Sequence, residues 1–158
     1  VRHFQTYLSR GLERRLCATL PLLPEARREP AAALWRRVEA VLVELERTAE
    51  VELLERILEA PGLWGVDPVL DALQLGRVQH WVVPWALEAR IWRCPREGFV
   101  AATEETARIL CEHPEEVALR AHVLDLSARF GARLELVRGE AERRLLDELG
   151  GMAALLRW

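Results

Sequence analysis

Phe130-Gly131-Ala132-Arg133-Leu134-Glu135-Leu136-Val137, a short charged helix, and then Gly150-Gly151-Met152-Ala153-Ala154-Leu155-Leu156-Arg157-Trp158 close the chain. Glycine takes a left-handed helix C-cap without steric cost, so a helix stops at Gly131. Leu134 and Leu136 then alternate with polar neighbours, the period of a strand. The Gly150-Gly151 pair ends a second helix and releases a continuous apolar run, which suits a strand buried on both faces of a sheet. The chain therefore ends helix, strand, helix, strand. Upstream, Gly65-Val66-Asp67-Pro68 opens a helix over 67–75, with Asp67 as N-cap and Pro68 in the first turn, and Gly76 stops it. Val78 to Val83 follows with the β-branched and aromatic content of a central strand, ended by Pro84.

These three blocks, taken in order, resemble the C-terminal domain of archaeal and eukaryotic class-1 peptide release factors and their relative Pelota, including bacterial relatives. The family runs a helix into an "fGa-leiv" strand, matched from Phe130 to Val137, and ends on a Gly-Gly-apolar-"lLRy/w" strand, matched from Gly150 to Trp158. Its "GledtLkALeeGrVe-lll" segment is matched from Gly65 to Val83. The resemblance covers most of residues 62–158. It implies a three-layer α/β sandwich at 62–158, with a mixed sheet of about four strands, preceded at 1–61 by a helical arm or remnant of a middle domain.

Composition suits one such core: 158 residues, of which 51% are hydrophobic. The formal charge of −3, from 22 basic and 25 acidic residues, offers no excess for sequence-independent grip on nucleic acid. Every basic residue is arginine, which reads most simply as the imprint of a GC-rich coding sequence, with a thermophilic source as the alternative, and carries no functional conclusion. No apolar run approaches the ~20 residues that span a bilayer, so no membrane partner is expected. Cys17, Cys94 and Cys111 are odd in number and widely spaced, and no signal peptide is recognisable. Reduced thiols in a cytoplasm are the expectation. Val1 in place of Met leaves two readings, a fragment or an alternative start codon.

The remaining segments read as follows. Residues 4–20 form a short helix with Phe4, Leu8, Leu12 and Leu16 on one side, stopped near Pro21 and Pro24. From Ala31 to Ala60, Leu34, Val38, Val41, Leu45, Ala49, Leu53 and Ile57 recur at the spacing of one long helix, broken by Pro61-Gly62. Leu63-Trp64-Gly65-Val66 is a short strand or loop. Residues 85–101 are a loop or short β excursion. Thr103, with Glu104 and Glu105 behind it, starts a helix over 103–112. Pro114-Glu115-Glu116 starts another, turning Val117, Ala121, Leu124 and Ala128 to the sheet and leaving His122, Asp125 and Arg129 polar.

Arg93-Cys94-Pro95-Arg96-Glu97-Gly98 through Cys111-Glu112-His113-Pro114 has its own counterpart in the family, where the corresponding insertion often carries a four-thiolate zinc ribbon. Here Glu97 stands at the second position of the first knuckle, and Cys111 and His113 are all that is left of the second. Cys94, Cys111 and His113 with Glu97 would make four donors, but Cys-x-His chelates poorly and carboxylates are unusual in structural zinc sites. The insertion, at about 85–114, is read as a degenerate ribbon, and no metal or cofactor is expected.

Catalytic patterns are missing. There is no GxxxxGK[ST], GxGxxG or GxSxG. Ser9 and Ser127 are the only serines and fall within expected helices. His3, His80, His113 and His122 lie in different elements, and His80 reads as a hydrogen-bonded core or edge residue. Class-1 release factors hydrolyse peptidyl-tRNA with a Gly-Gly-Gln loop, which this chain lacks, since its one Gly-Gly precedes Met152. The resemblance therefore implies an adaptor in translation termination, ribosome rescue or quiescence, not an enzyme. Its implied partners are the ribosome and a translational GTPase. Arg27-Arg28 with Arg36-Arg37 is read as a solvated helix face, with rRNA contact as the alternative. The competing function is RNA binding in the manner of the kink-turn ribosomal proteins, which share this sandwich. Against it, Asp67 stands where phosphate requires donors. An exposed apolar patch would favour a protein partner, clustered arginines at a glycine-rich turn would favour RNA, and a deep polar pocket would favour an enzyme.

Overall fold

The computed structural model describes residues 6–20 and 28–157. The chain divides into two compact units, 1–48 and 49–158. In the first, α1 is only Arg10–Glu13, and Leu12 and Leu16 are exposed. The helix expected over 4–20 is thus cut to one turn. An apolar stripe without a buried partner cannot offset the cost of helix nucleation, and Phe4, the first residue of that stripe, lies outside the described residues. Helix α2 runs Ala31–Glu59, and its residues from 49 onward belong to the second unit, where Leu53, Leu54 and Ile57 are buried. Gly62 then permits a tight exit, because a Cβ there would lie 2.1 Å from the Ile57 carbonyl oxygen.

The second unit carries β1 (Gly62–Trp64), α3 (Val66–Gln74), β2 (Val78–Pro84), β3 (Arg90–Arg93), β4 (Val100–Ala101) and α4 (Glu104–Leu110). It continues with β5 (Glu115–Ala118), a 3₁₀ turn (Leu119–Ala121), α5 (Val123–Phe130), β6 (Arg133–Val137), α6 (Gly139–Asp147) and β7 (Ala153–Leu156). The main sheet has the order β1-β7-β2-β6. Strand β2 pairs parallel with β6 and antiparallel with β7, and β1 pairs antiparallel with β7. This is the mixed four-stranded sheet expected.

Alternation along β2 sorts the two faces. Trp81 and Val83 join α3, α5 and the β3 region in one apolar cluster, with Leu70, Leu73, Ile91 and Leu126. Val82 joins Leu54, Ile57, Ala141 and Leu145 of α2 and α6 in the other. A register shift between Val78 and His80 lets Val78 share the Trp81 side although three positions separate them. Helices therefore cover both faces, making three layers. Each fully buried aliphatic side chain contributes roughly 1.5–3 kcal/mol.

The segments 65–83, 130–137 and 150–157 converge on Arg157. Its amide donates to Arg77 O at 2.8 Å, its Nε to Val78 O at 3.0 Å and its Nη2 to Gly131 O at 2.6 Å. Gly131 takes the left-handed cap as expected, at φ 66°. The cap of α3 differs from expectation. Gly65, at φ 90°, is the N-cap, so Asp67 falls in the first turn and Pro68 occupies the third helical position, whose amide has no intrahelical acceptor.

Residues 85–118 depart furthest. Of the loop or short β excursion expected over 85–101, the excursion forms, β3 pairing with β4, and it is extended by β5 into a second sheet, β4-β3-β5, so the helix expected from Pro114 is a strand followed by the 3₁₀ turn. Glu115 to Ala118 pair along β3, opposite Arg93 to Arg90, so cross-strand bonds override an acidic first turn that also suits a helix. Because α5 starts only at Val123, its inner face is Val123 and Leu126, while Ala121, Leu124 and Ala128 are exposed. Helix α4 begins as expected at Thr103, whose Oγ1 accepts from the Thr106 amide at 3.2 Å.

Candidate partner-docking surface

Strands β2 and β6 end side by side, with Pro84 opposite Val137. The next amide, of Trp85, donates to Val137 O at 2.9 Å and carries the pairing one residue further. Both flanking backbones are then tied down: Ala86 N–H donates to Glu142 at 2.7 Å and Arg138 N–H to Glu50 at 3.1 Å. A rigid sheet end thus presents the Trp85 indole, which is 44% exposed. The Arg138 guanidinium carbon lies 3.6 Å from its ring centroid and that of Arg120 lies 5.4 Å away. Arg120 also donates to the Trp85 carbonyl.

Beside the indole is a cavity of about 180 Å³ lined by Val83, Pro84, Leu87, Val123, Leu124 and Leu136 together with Trp85 and Arg120. Leu124 is 70% exposed and Leu136 40%. This surface is not legible in the sequence, because it depends on where α5 begins. Pro84-Trp85 at the end of an apolar strand, followed by isolated arginines, was the available signal. An anchored Trp flanked by two arginines has the residue types of an interface hot spot, and the exposed leucines beside it extend it as an apolar patch.

The cysteines differ from expectation. Cys94 and Cys111 form a disulfide joining the end of β3 to the end of α4, so the expected reduced state does not hold for them. Pairing of β3 with β4 and β5 and the position of α4 bring their Cα atoms to 5.9 Å, within disulfide reach. Cys17 is free and exposed. Cys94, Glu97 and Cys111 have their ligand atoms within 4.8 Å of one another, and His113 is not part of that group. With both sulfurs bonded to each other, three positions do not supply the four deprotonated donors of a structural zinc site. The larger cavity beside them, about 620 Å³, mixes Arg96, Arg108 and His113 with Glu97, Glu112 and Glu115.

His80 lies on the α2 face of the main sheet, its Nδ1 buried without a hydrogen bond and 3.9 Å from a Glu135 carboxylate oxygen. Glu135 is instead held by Arg133 Nε at 2.7 Å. Burial, then the Arg133 charge, push His80 below the ordinary imidazole pKa, with Glu135 opposing. Ser127 Oγ donates to Ala132 O at 2.9 Å and closes the α5–β6 turn, while Ser9 precedes α1 as its N-cap. Of the arginines read as a solvated helix face, with rRNA contact as the alternative, Arg37 faces Glu29 at 3.7 Å and Arg36 donates to its own helix at Ala32 O. Arg27 lies outside the described residues. Within the described residues no helix is long and apolar enough to cross a membrane.

The architecture is a mixed four-stranded sheet between helical layers with an appended three-stranded sheet. Among solved structures, it is shared with the C-terminal domain of the peptide chain release factor from Methanosarcina mazei, at TM-score 0.55 and 16% identity, over 83% of this chain and 97% of that one. Pelota from Archaeoglobus fulgidus matches at TM-score 0.52 and 22% identity, over 80% of this chain and 35% of that one. No protein-family model matches the chain, and neither does any curated protein.

Proposed function

We propose that this chain acts in translation as a release-factor-like, ribosome-associated binding protein of the cytoplasm. It works through protein partners, a translational GTPase among them, in termination, rescue or quiescence. The observation that carries this reading is the fold likeness to nearly the whole of a release factor's C-terminal domain. The chain carries no Gly-Gly-Gln tripeptide, so it has no peptidyl-tRNA hydrolysis of its own in this reading. The Trp85 surface supports a protein partner. RNA binding in the kink-turn manner finds less support, since the turn at Gly65 leads into Asp67 in the first turn of α3.

Two assays on the purified chain test the proposal. It is expected to pellet with ribosomes and to release no peptide from ribosomes carrying peptidyl-tRNA. Absence from the pellet at both low and high salt would overturn the ribosome assignment, and peptide release would overturn the adaptor assignment.

A further inference from the structure

The Trp85 surface also states what kind of partner it fits. Seven of its eight cavity-lining residues are uncharged and apolar in body, and the single charged one is Arg120. Arg138 adds a second guanidinium over the same indole. Among the described residues no carboxylate lines the cavity.

The arginines of the second unit fall into several kinds, and Arg129 and Arg157, for example, are bonded to backbone carbonyls. Arg90, Arg108, Arg133 and Arg144 each pair with a carboxylate, on Glu116, Glu104, Glu135 and Glu55 respectively. The guanidinium groups of Arg120 and Arg138 form no ion pair with a carboxylate among the described residues, the Glu50 carboxylate being taken by the Arg138 amide. Each is nonetheless held in place, by the indole and, for Arg120, by the Trp85 carbonyl. A guanidinium stacked on an aromatic ring keeps its outward N–H groups for a planar anion, and preorganisation of this kind reduces the entropy lost on binding.

We propose that this groove binds an acidic peptide segment of a partner protein. One large apolar side chain, such as Leu or Phe, enters the cavity between Leu124, Leu136 and Val123, and a neighbouring carboxylate bridges Arg120 and Arg138. This rests on the protein-partner reading above and names the chemistry of that partner. Nucleic acid fits the surface less well: a base would have to stack on the indole face, and Arg138 lies 3.6 Å from the ring centroid. The chain's net charge of −3 gives no general phosphate attraction to compensate.

The test is selection of a random twelve-residue peptide library displayed on phage against the full immobilised chain, followed by fluorescence anisotropy with the best synthetic peptide. Selected peptides are expected to share Leu, Phe or another large apolar residue beside Asp or Glu. Affinity should fall at least tenfold with Leu124→Glu and with Arg138→Glu, and should weaken as salt rises. Both substitutions are at solvent-facing side chains, and an unchanged circular dichroism spectrum confirms that the fold persists. A peptide carrying Lys in place of its acids should fail to bind.

Selection of neutral or basic peptides, no selection at all, or binding unaffected by both variants would overturn the proposal. Tighter binding of a single-stranded RNA decamer, lost in the same two variants, would overturn it in favour of nucleic acid. The assay contains no ribosomes. Failure here with ribosome pelleting intact removes the acidic-peptide assignment alone, whereas peptide binding without pelleting removes the translation assignment and leaves the groove.

Discussion

Arg157 shows how one side chain holds separate stretches of sequence together. Its guanidinium and amide join the start of β2, the loop before it and the cap of α5, through Val78, Arg77 and Gly131 carbonyls. Arg157→Ala removes two charge-assisted bonds, and a loss of about 1–3 kcal/mol in urea unfolding is expected. Arg157→Lys should recover little of it, because an ammonium cannot span both acceptors. An unchanged midpoint in Arg157→Ala would contradict this role. The sequence showed the position but not its bonds, which join residues 26 and 79 positions away.

His80 makes a second prediction at this scale. Its folded pKa lies below the ordinary 6.5 because burial and Arg133 disfavour the charged ring. Between that lowered value and 6.5 the unfolded chain binds more protons, so stability is lost as pH falls through this window and is flat with respect to His80 above it. Chemical denaturation at pH 7.5 and at successive steps down to 5 should show a slope in the native chain that His80→Gln reduces. Equal slopes in the two proteins would refute the assignment.

Among the elements, long apolar periods and glycine stops were the legible features. Helix α2, strand β2, the Gly131 cap and the Thr103 cap all follow from local chemistry that acts within a few residues. Residues 114–121 were not legible. Pro114-Glu115-Glu116 satisfies the rules for a helix start, yet the partner strand β3 claims those residues through pairing across some 25 positions. That one choice moves α5 and turns Leu124 outward, which is why the groove could not be foreseen. The Cys94–Cys111 bond was hidden for a related reason, since an odd count of scattered cysteines gives no pairing.

This disulfide should stabilise the second sheet against α4. Closing a 17-residue separation is worth ~3 kcal/mol where the unfolded chain loses the corresponding freedom. Cys111→Ser, or a dithiol reductant on the native chain, is therefore expected to lower the denaturation midpoint, while Cys17→Ser leaves it unchanged. A midpoint insensitive to reduction would show that the tie adds nothing to the fold. Gly131→Ala belongs to the same scale: a left-handed cap at φ 66° strains any side chain, and a loss of about 1 kcal/mol is expected.

At the scale of the whole molecule, the alternation at the chain's end gave helix, strand, helix, strand, and the three-layer sandwich with a mixed four-stranded sheet was what the resemblance of its three blocks to release-factor C-terminal domains implied. Both apolar clusters bear it out, one on each face. Function was less legible, because a fold hosts many activities and the site must be argued from its own residues. The groove is a product of tertiary structure, built where two parallel strands end beside a helix that starts late. Association with the ribosome through such a surface predicts that the chain leaves the free-protein fractions only when partners are present.

The most direct measurement is sucrose-gradient sedimentation of native lysate at low and high salt, with and without induced stalling, probing for this chain and for Leu124→Glu expressed alongside it. Co-migration of the native chain with ribosomes or a subunit, weakened in Leu124→Glu, is the predicted result. Recovery of the native chain only at the top of the gradient under every condition would contradict the account and leave the fold without its proposed role.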